Sequence, residues 1–185
     1  MPDPRQRGLY AAFAELLSYP RGQVAAAAAR TRELAGPGAA EAALGRFAAT
    51  VSAHDATWLE ELYTATFDLA PACAPYVGHQ LFGDTPIRGP FLAKLAEIFA
   101  ADGFQPREEL GDHLAEVLRF LAMSRPGPAR DELLQEGLVP ALGRMIAALE
   151  EARSPYRDAL AALLELVGRG GASLGVARAT GEVAP

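Results

Sequence analysis

The stretch HQLFGDTPIRGPFLAKLAEIFAADGF, residues 79–104, joins a polar turn to a long apolar-faced segment. Its second half places large apolar side chains at the i, i+3, i+4 and i+7 spacing that marks one face of a helix. These side chains are Phe91, Leu92, Leu95, Ile98 and Phe99. Gly103 follows the stripe and predicts the C-terminal cap. The stretch therefore predicts an amphipathic helix that follows a loop.

The first half of this stretch is a polar loop that carries Asp84, Thr85 and Arg88. Its local chemistry predicts a turn at Gly83 and Asp84, and a helix that starts at Gly89–Pro90. Whether Asp84 and Arg88 bind a partner or only tie the loop to a neighbouring helix stays open from these residues alone.

The same helical spacing recurs along most of the chain. Leu9, Phe13, Leu16 and Leu17 form one such face, and Leu160, Leu163, Leu164 and Val167 form another. Asp55 stands at a helix N-cap, and Pro and Gly at 36–38 and 124–128 break the chain between helices. No segment alternates with a period of two. We predict an all-α, single-domain bundle of roughly eight to ten helices over residues 1–168. A Gly- and Ala-rich tail, residues 169–185, is expected to be partly disordered.

Composition and charge restrict the possible partners. The chain has 185 residues, a formal net charge of −6 and a single cysteine, Cys73. Binding to nucleic acid needs a basic face, so we expect no nucleic-acid partner. No internal disulfide is possible, which fits a reducing compartment. The most uniform apolar run, residues 24–29, is too short to cross a bilayer. We therefore expect a cytoplasmic protein without direct membrane insertion.

Motifs that carry enzyme or metal chemistry are missing from the sequence. His54, His79, His113 and Cys73 show no metal-ligand spacing, and the chain holds no HExxH or CxxC motif. The segment GDTPIRG, residues 83–89, lacks the GK[ST] ending of a phosphate-binding loop. No GxSxG motif marks a nucleophilic serine. We expect no metal and no bound cofactor.

Asp112 and His113 are the acid–base pair closest in sequence. Adjacent residues on a helix do not face each other, so the pair does not predict an Asp–His dyad. Asp112 is instead predicted to be the N-cap of the helix that follows, with His113 in its first turn.

An aromatic helix precedes the opening stretch. Trp58, Tyr63 and Phe67 lie close together on its faces. Such side chains are most often core, but they also suit a groove that receives the apolar anchors of a ligand helix. Residues 71–75 and 83–90 would then form the rim of that groove.

Three segments, taken together, resemble the TorD/DmsD/NarJ family, whose members are cytoplasmic, all-helical chaperones of molybdenum redox enzymes. They are ELYTATFD (61–68), HQLFGDTPIRGPFLAKLAEIFAADGF (79–104) and EELGDHLAEVLRFLA (108–122). The GDTxxRG form is similar to the NarJ branch, whose members are sometimes described as a nitrate reductase delta subunit. The resemblance is close over about residues 55–125.

The resemblance implies binding without catalysis. The expected partner is the N-terminal segment, a twin-arginine signal peptide or its remnant, of the apo catalytic subunit of a molybdopterin oxidoreductase. The chaperone would hold back export or membrane assembly until the cofactor is inserted. The implied peptide-binding residues are Tyr63, Thr66, Phe67, Asp84, Arg88, Asp112 and His113, with Gly83 and Gly89 completing the loop motif.

Two other functions stay open at this point. One is a small helical enzyme that uses His113 with Asp84 or Asp112. The other is a structural subunit that stays in the mature oxidoreductase complex. The sequence does not distinguish a monomer from a dimer.

Overall fold

The computed structural model describes the backbone of residues 3–69 and 73–179, and side chains as far as residue 169. The helices are α1 (Pro4–Leu16), α2 (Val24–Ala35), α3 (Ala39–Ser52), α4 (Ala56–Tyr63), α5 (Val77–Phe82), α6 (Arg88–Ala101), α7 (Leu114–Met123), α8 (Pro128–Glu132), α9 (Val139–Ala152) and α10 (Tyr156–Ala179). Two π-helical segments, Thr64–Asp68 and Leu133–Leu138, extend α4 and link α8 to α9. Counted as continuous helices there are nine in these residues, which confirms the predicted all-α bundle.

The helices pack in an order that leaves one continuous core. α1 packs against α2 and α7, α3 packs against α2 and α10, and α9 packs against α10 and α5. The predicted apolar faces point into this core, since Phe13, Leu16 and Leu163 are fully buried, and Leu118 of α7 is buried with them. Burial of these faces is the main favourable contribution to folding.

Several predicted helix ends are confirmed. Asp55 accepts a hydrogen bond from the Trp58 N–H at 2.9 Å, as an N-cap does. Gly103 follows α6 with a φ of +70°, and the Phe104 N–H reaches back to the Phe99 carbonyl at 2.9 Å. Local capping chemistry therefore fixes these boundaries.

Other predicted boundaries differ from the structure. Asp112 is not the N-cap of α7. That position belongs to His113, because the Asp112 carboxylate is held by other donors. Helix α6 begins at Arg88, slightly before the predicted start at Gly89–Pro90. α10 extends to Ala179, so its backbone is helical through much of the predicted tail; residues 180–185 lie outside the described residues.

Candidate functional site

A short antiparallel bridge brings the segment before α5 against the segment before α7. The Val77 N–H donates to the Asp112 carbonyl, and the Leu114 N–H donates to the Pro75 carbonyl, each at 2.7 Å. Two segments that are far apart in sequence are thus fixed at hydrogen-bonding distance. The bridge joins residues just before the segment 79–104 to residues within the segment 108–122, and so holds these two segments together.

Arg88 and Asp112 form a buried ion pair next to this bridge. Arg88 donates from Nε to Oδ2 at 3.1 Å and from Nη2 to Oδ1 at 3.2 Å, a two-point geometry that suits guanidinium and carboxylate. The Asp112 side chain is 0% exposed and that of Arg88 is 21% exposed. The pair connects the start of α6 to the start of α7.

Gly78 allows this approach. Its N–H donates to Asp112 Oδ2 at 3.2 Å. A Cβ at this position would come within 2.7 Å of that oxygen and 2.8 Å of the Phe91 ring. Only a residue without a side chain fits here, so α5 can lie directly against the ion pair.

His113 caps α7 from a buried position. Its Nδ1 accepts a hydrogen bond from the Ala115 N–H at 3.1 Å, so that nitrogen carries no proton. Burial lowers the pKa of His113 to about 4; the Glu116 carboxylate opposes that shift and Arg119 adds to it. The ring is only 2% exposed. In the described part of the chain no hydrogen bond joins it to Asp84 or Asp112, the partners that the enzyme alternative would need.

Tyr76 covers the ion pair and the buried histidine. Its ring packs edge-on against His113 with centroids 5.2 Å apart, and the Arg88 guanidinium carbon lies 5.3 Å from the ring centroid. The Tyr76 hydroxyl donates to Glu109 Oε2 at 3.0 Å. Partial burial, and then the bonded Glu109 carboxylate, raise the pKa of Tyr76 to about 12.

Acidic and aromatic side chains extend outward from Tyr76. Partial burial and the Glu109 charge raise the pKa of Asp68, and the Asp68 charge contributes to the raised pKa of Tyr76. The Tyr19 hydroxyl donates to Glu60 at 3.5 Å. Loss of solvent contact, the Glu60 carboxylate and the Asp68 charge, in that order, raise the pKa of Tyr19. We call this surface the acidic–aromatic face: Tyr19, Glu60, Asp68, Tyr76 and Glu109.

Two of the three predicted aromatic residues, Tyr63 and Phe67, lie beneath this face in the core, whereas Trp58 is partly buried and stacks on His54. Tyr63 is 4% exposed and Phe67 is 3% exposed. Their ring centroids are 4.9 Å apart, and Phe67 also packs against Tyr156 at 4.8 Å. Thr66 is buried, with its hydroxyl 3.2 Å from that of Ser154. Of the two interpretations of this helix, the structure therefore places Tyr63 and Phe67 in the core rather than along an open groove.

Asp84 is the most accessible of the predicted site residues. Its side chain is 90% exposed, and Oδ1 lies 3.3 Å from His79 Nδ1. It does not join the Arg88–Asp112 pair. Part of the predicted rim, residues 71 and 72, lies outside the described residues.

The structure thus forms two groups from the predicted residues. Arg88, Asp112 and His113 meet at the bridge, whereas Tyr63, Thr66 and Phe67 meet in the core. Sequence reasoning missed Tyr76, which connects the first group to the surface. The sequence does mark Tyr76 as an aromatic residue directly after Pro75. Its neighbours in sequence do not indicate that its ring will pack on Arg88 and His113.

Comparison with known proteins shows the family. The model of the nitrate reductase delta subunit family matches residues 33–162, a range that contains the bridge, the ion pair and the aromatic helix. The chain belongs to the nitrate reductase delta subunit family. This family is known for maturation chaperones, and it is associated with nitrate reductase complexes. The predicted family resemblance is confirmed.

Two curated relatives are similar over much of the chain. Both are the nitrate reductase-like protein NarX of Mycobacterium tuberculosis, from strains CDC 1551 / Oshkosh and ATCC 25618 / H37Rv. Each is 33% identical over 150 residues, which is 80% of this chain. The matched region is 22% of the length of NarX, so the chain spans about a fifth of these relatives.

Two further features concern metals and membranes. Among the described residues, no group of three or more His, Cys, Asp or Glu side chains is placed to hold a metal ion. None of the helices in that part of the chain is long and apolar enough to cross a membrane.

Proposed function

We propose that this delta-subunit family member is a cytoplasmic maturation chaperone without catalytic activity. Its client is the apo catalytic subunit of a molybdopterin oxidoreductase. The chaperone binds the N-terminal segment of that subunit, a twin-arginine signal peptide or its remnant, and assists cofactor insertion before export or membrane assembly. The observation that carries the proposal is the acidic–aromatic face, which lies on the buried and hydrogen-bonded residues Arg88, Asp112 and His113.

The chemistry of this face suits a basic peptide. Carboxylates accept two parallel hydrogen bonds from a guanidinium group, and aromatic rings attract the same cation through their faces. Glu109 and Asp68 provide the carboxylates, and Tyr76 and Tyr19 provide the rings. The net charge of −6 adds long-range attraction, which speeds the encounter with a cationic segment at low salt.

The predicted site residues take different roles in this proposal. Arg88, Asp112 and His113 position Tyr76, because its ring packs on two of them. Tyr63, Thr66 and Phe67 hold the π-helical segment that carries Asp68. Asp84, which is exposed, is available for direct contact with the client. π-helical segments occur frequently at functional sites, which supports a role for this one.

Isothermal titration calorimetry tests the proposal with a synthetic peptide of the N-terminal segment of a nitrate reductase catalytic subunit from the same genome. We expect the Asp68→Asn/Glu109→Gln variant to bind the peptide about tenfold or more weakly, since two charge-assisted contacts are lost. The control is Glu33→Gln/Glu151→Gln, which removes two exposed charges elsewhere and should leave the affinity unchanged. Equal affinities for all three proteins would refute the role of this face.

A retained structural subunit is the alternative from the same family context. Size-exclusion chromatography of the protein with cofactor-loaded enzyme separates the two roles. The chaperone proposal requires that the loaded enzyme elute without this chain.

A further inference from the structure

A cavity of about 390 Å³ lies between the end of α6, the end of α7 and the loop that leads into α8. We call it the arginine cavity. Its polar lining is Asp102, Arg125 and Arg130, and its apolar lining includes Ile98 and Ala101. None of these residues belongs to the acidic–aromatic face or to the seven predicted binding residues. The cavity therefore needs an explanation of its own.

Arg130 is a buried cation in the wall of this cavity. The residue is 5% exposed, although arginine is rarely buried in proteins unless its charge is paired. Its Nε donates to the Ser124 hydroxyl at 3.2 Å, and its guanidinium carbon lies 5.8 Å from the centroid of the Tyr10 ring. Its Nη2 has no hydrogen-bond acceptor among the described residues. The guanidinium group is thus only partly satisfied.

Neither of the two acids beside the arginine cavity bonds this guanidinium. Asp131 Oδ1 lies 3.9 Å from Nη1 of Arg130, which is beyond hydrogen-bond distance. Asp102 is engaged by Arg125, which donates from Nε to Oδ1 at 3.1 Å and from its backbone N–H to Oδ2 at 3.2 Å. A buried charge without a bonded partner is costly, and such groups are rare in native proteins. A ligand that accepts hydrogen bonds from Arg130 would remove this cost.

The lining of the cavity indicates the class of ligand. Arg125 and Asp102 neutralise each other, so Arg130 is the unmatched charge of the lining. A guanidinium group binds a carboxylate through two parallel hydrogen bonds. The volume of about 390 Å³ lies within the range of about 300–1,000 Å³ that is common for small-molecule sites. Ile98 and Ala101 add apolar surface, which favours an anion with an apolar body.

We infer that the arginine cavity binds a small organic acid, whose carboxylate pairs with Arg130 and whose apolar body lies against Ile98 and Ala101. Because Nη2 is itself buried, the guanidinium group must turn towards the cavity when the acid binds. The inference goes beyond the proposed function and does not depend on it, since the two sites share no residue.

Titrations followed by ligand-observed NMR at constant ionic strength test the inference with three probes. Benzoate is a carboxylate with an apolar body, benzamide is its neutral counterpart, and inorganic phosphate is an anion without an apolar body. We expect benzoate to bind the wild type with a Kd of about 1 mM or lower. Benzamide and phosphate should bind about tenfold more weakly or not at all, because each lacks one of the two features.

Two variants separate the charge of the cavity from its space. Arg130→Gln removes the cation, and Ala101→Leu narrows the cavity from an exposed position while it leaves Arg130 in place. The control Arg153→Gln makes the same change of net charge at an exposed arginine elsewhere. We expect both cavity variants to weaken benzoate binding about tenfold or more, and the control to stay within about twofold of the wild type.

Thermal melts followed by circular dichroism show whether each variant is folded, and if Arg130→Gln is not, Ala101→Leu decides. The inference is wrong if benzoate does not bind the wild type, or if it binds the folded cavity variants as tightly. It is also wrong if benzamide or phosphate binds as tightly as benzoate.

A last comparison distinguishes a free acid from the carboxylate of a polypeptide. The probe is the tripeptide acetyl-Gly-Gly-Phe, with its C-terminus either free or amidated. Tighter binding of the free tripeptide than of benzoate, with no binding of the amide, would assign the cavity to a chain end and overturn the inference.

Discussion

Asp112 and His113 are adjacent in sequence, yet their side chains have different structural roles. Asp112 accepts hydrogen bonds from Arg88 and the Gly78 N–H, whereas His113 caps α7. Both are almost completely buried, so neither contacts a bound peptide without rearrangement. In the proposed function, they influence peptide binding through Tyr76, whose ring lies against His113 and under the guanidinium of Arg88, the partner of Asp112.

Removing Asp112 should destabilise the protein. Asp112→Ala leaves the Arg88 guanidinium in a largely buried position without its carboxylate, which costs about 3–5 kcal/mol of unfolding free energy. Guanidinium denaturation measures this loss. Asp84→Ala is the control, because its carboxylate is 90% exposed and should change stability little. An equal free energy of unfolding for Asp112→Ala and the control would show that the ion pair does not stabilise the fold.

The buried His113 predicts a specific dependence of stability on pH. Burial lowers its pKa from 6.5 to about 4, so the unfolded chain takes up a proton at higher pH than the folded protein does. The contribution to stability is complete above pH 6.5 and is lost as the pH falls towards about 4. It amounts to about 3 kcal/mol.

Denaturation curves between pH 4 and 7 test this dependence. His113→Asn keeps a capping side chain but removes the titrating group, so its stability should vary less over that range. His54→Asn, at an exposed histidine, should keep the wild-type slope. If stability varied equally with pH in all three proteins, His113 would not be the source of this pH dependence.

At the scale of elements, helix faces and caps were predictable because they depend on local spacing. The stripe from Phe91 to Phe99 and the caps at Asp55 and Gly103 were predicted from residues that are neighbours in sequence. The two π-helical segments were not predicted. Their wider turns keep a helical pattern of apolar residues, so spacing alone does not distinguish them from an α-helix.

The candidate site was less predictable for a related reason. In the antiparallel bridge, the hydrogen bond from Val77 to Asp112 joins residues that are 35 positions apart in sequence, and only the packed structure shows it. The prediction of Asp112 as an N-cap was wrong because its carboxylate is engaged by Arg88, a long-range partner. Likewise, the sequence left open whether Tyr63 and Phe67 are core or groove, since both interpretations place them on one helix face.

The C-terminal end of α5 provides a prediction for an element. Arg144 donates from α9 to the carbonyls of Gln80 and Leu81 at the C-terminal end of α5, where groups outside a helix commonly bond its last carbonyls. Arg144→Ala should therefore speed amide hydrogen exchange in residues 77–82, as measured by mass spectrometry. Arg107→Ala, at an exposed arginine, is the control. Unchanged exchange in α5 would mean that the helix end does not depend on Arg144.

At the scale of the whole molecule, the described residues form a helical bundle whose acidic–aromatic face lies beside the bridge between the starts of α5 and α7. The family match covers these helices, and the net charge of −6 favours a basic partner. These features support the proposed function, in which the bundle binds a basic N-terminal segment of an enzyme subunit that has not yet received its cofactor.

The most direct test of this account is capture of the client from cells. The tagged protein is purified from cells that produce the nitrate reductase catalytic subunit but cannot make the molybdenum cofactor, with the subunit either intact or lacking its N-terminal segment. The account predicts capture of the intact apo subunit and not of the truncated one. Equal capture of both forms, or capture of neither, would contradict it.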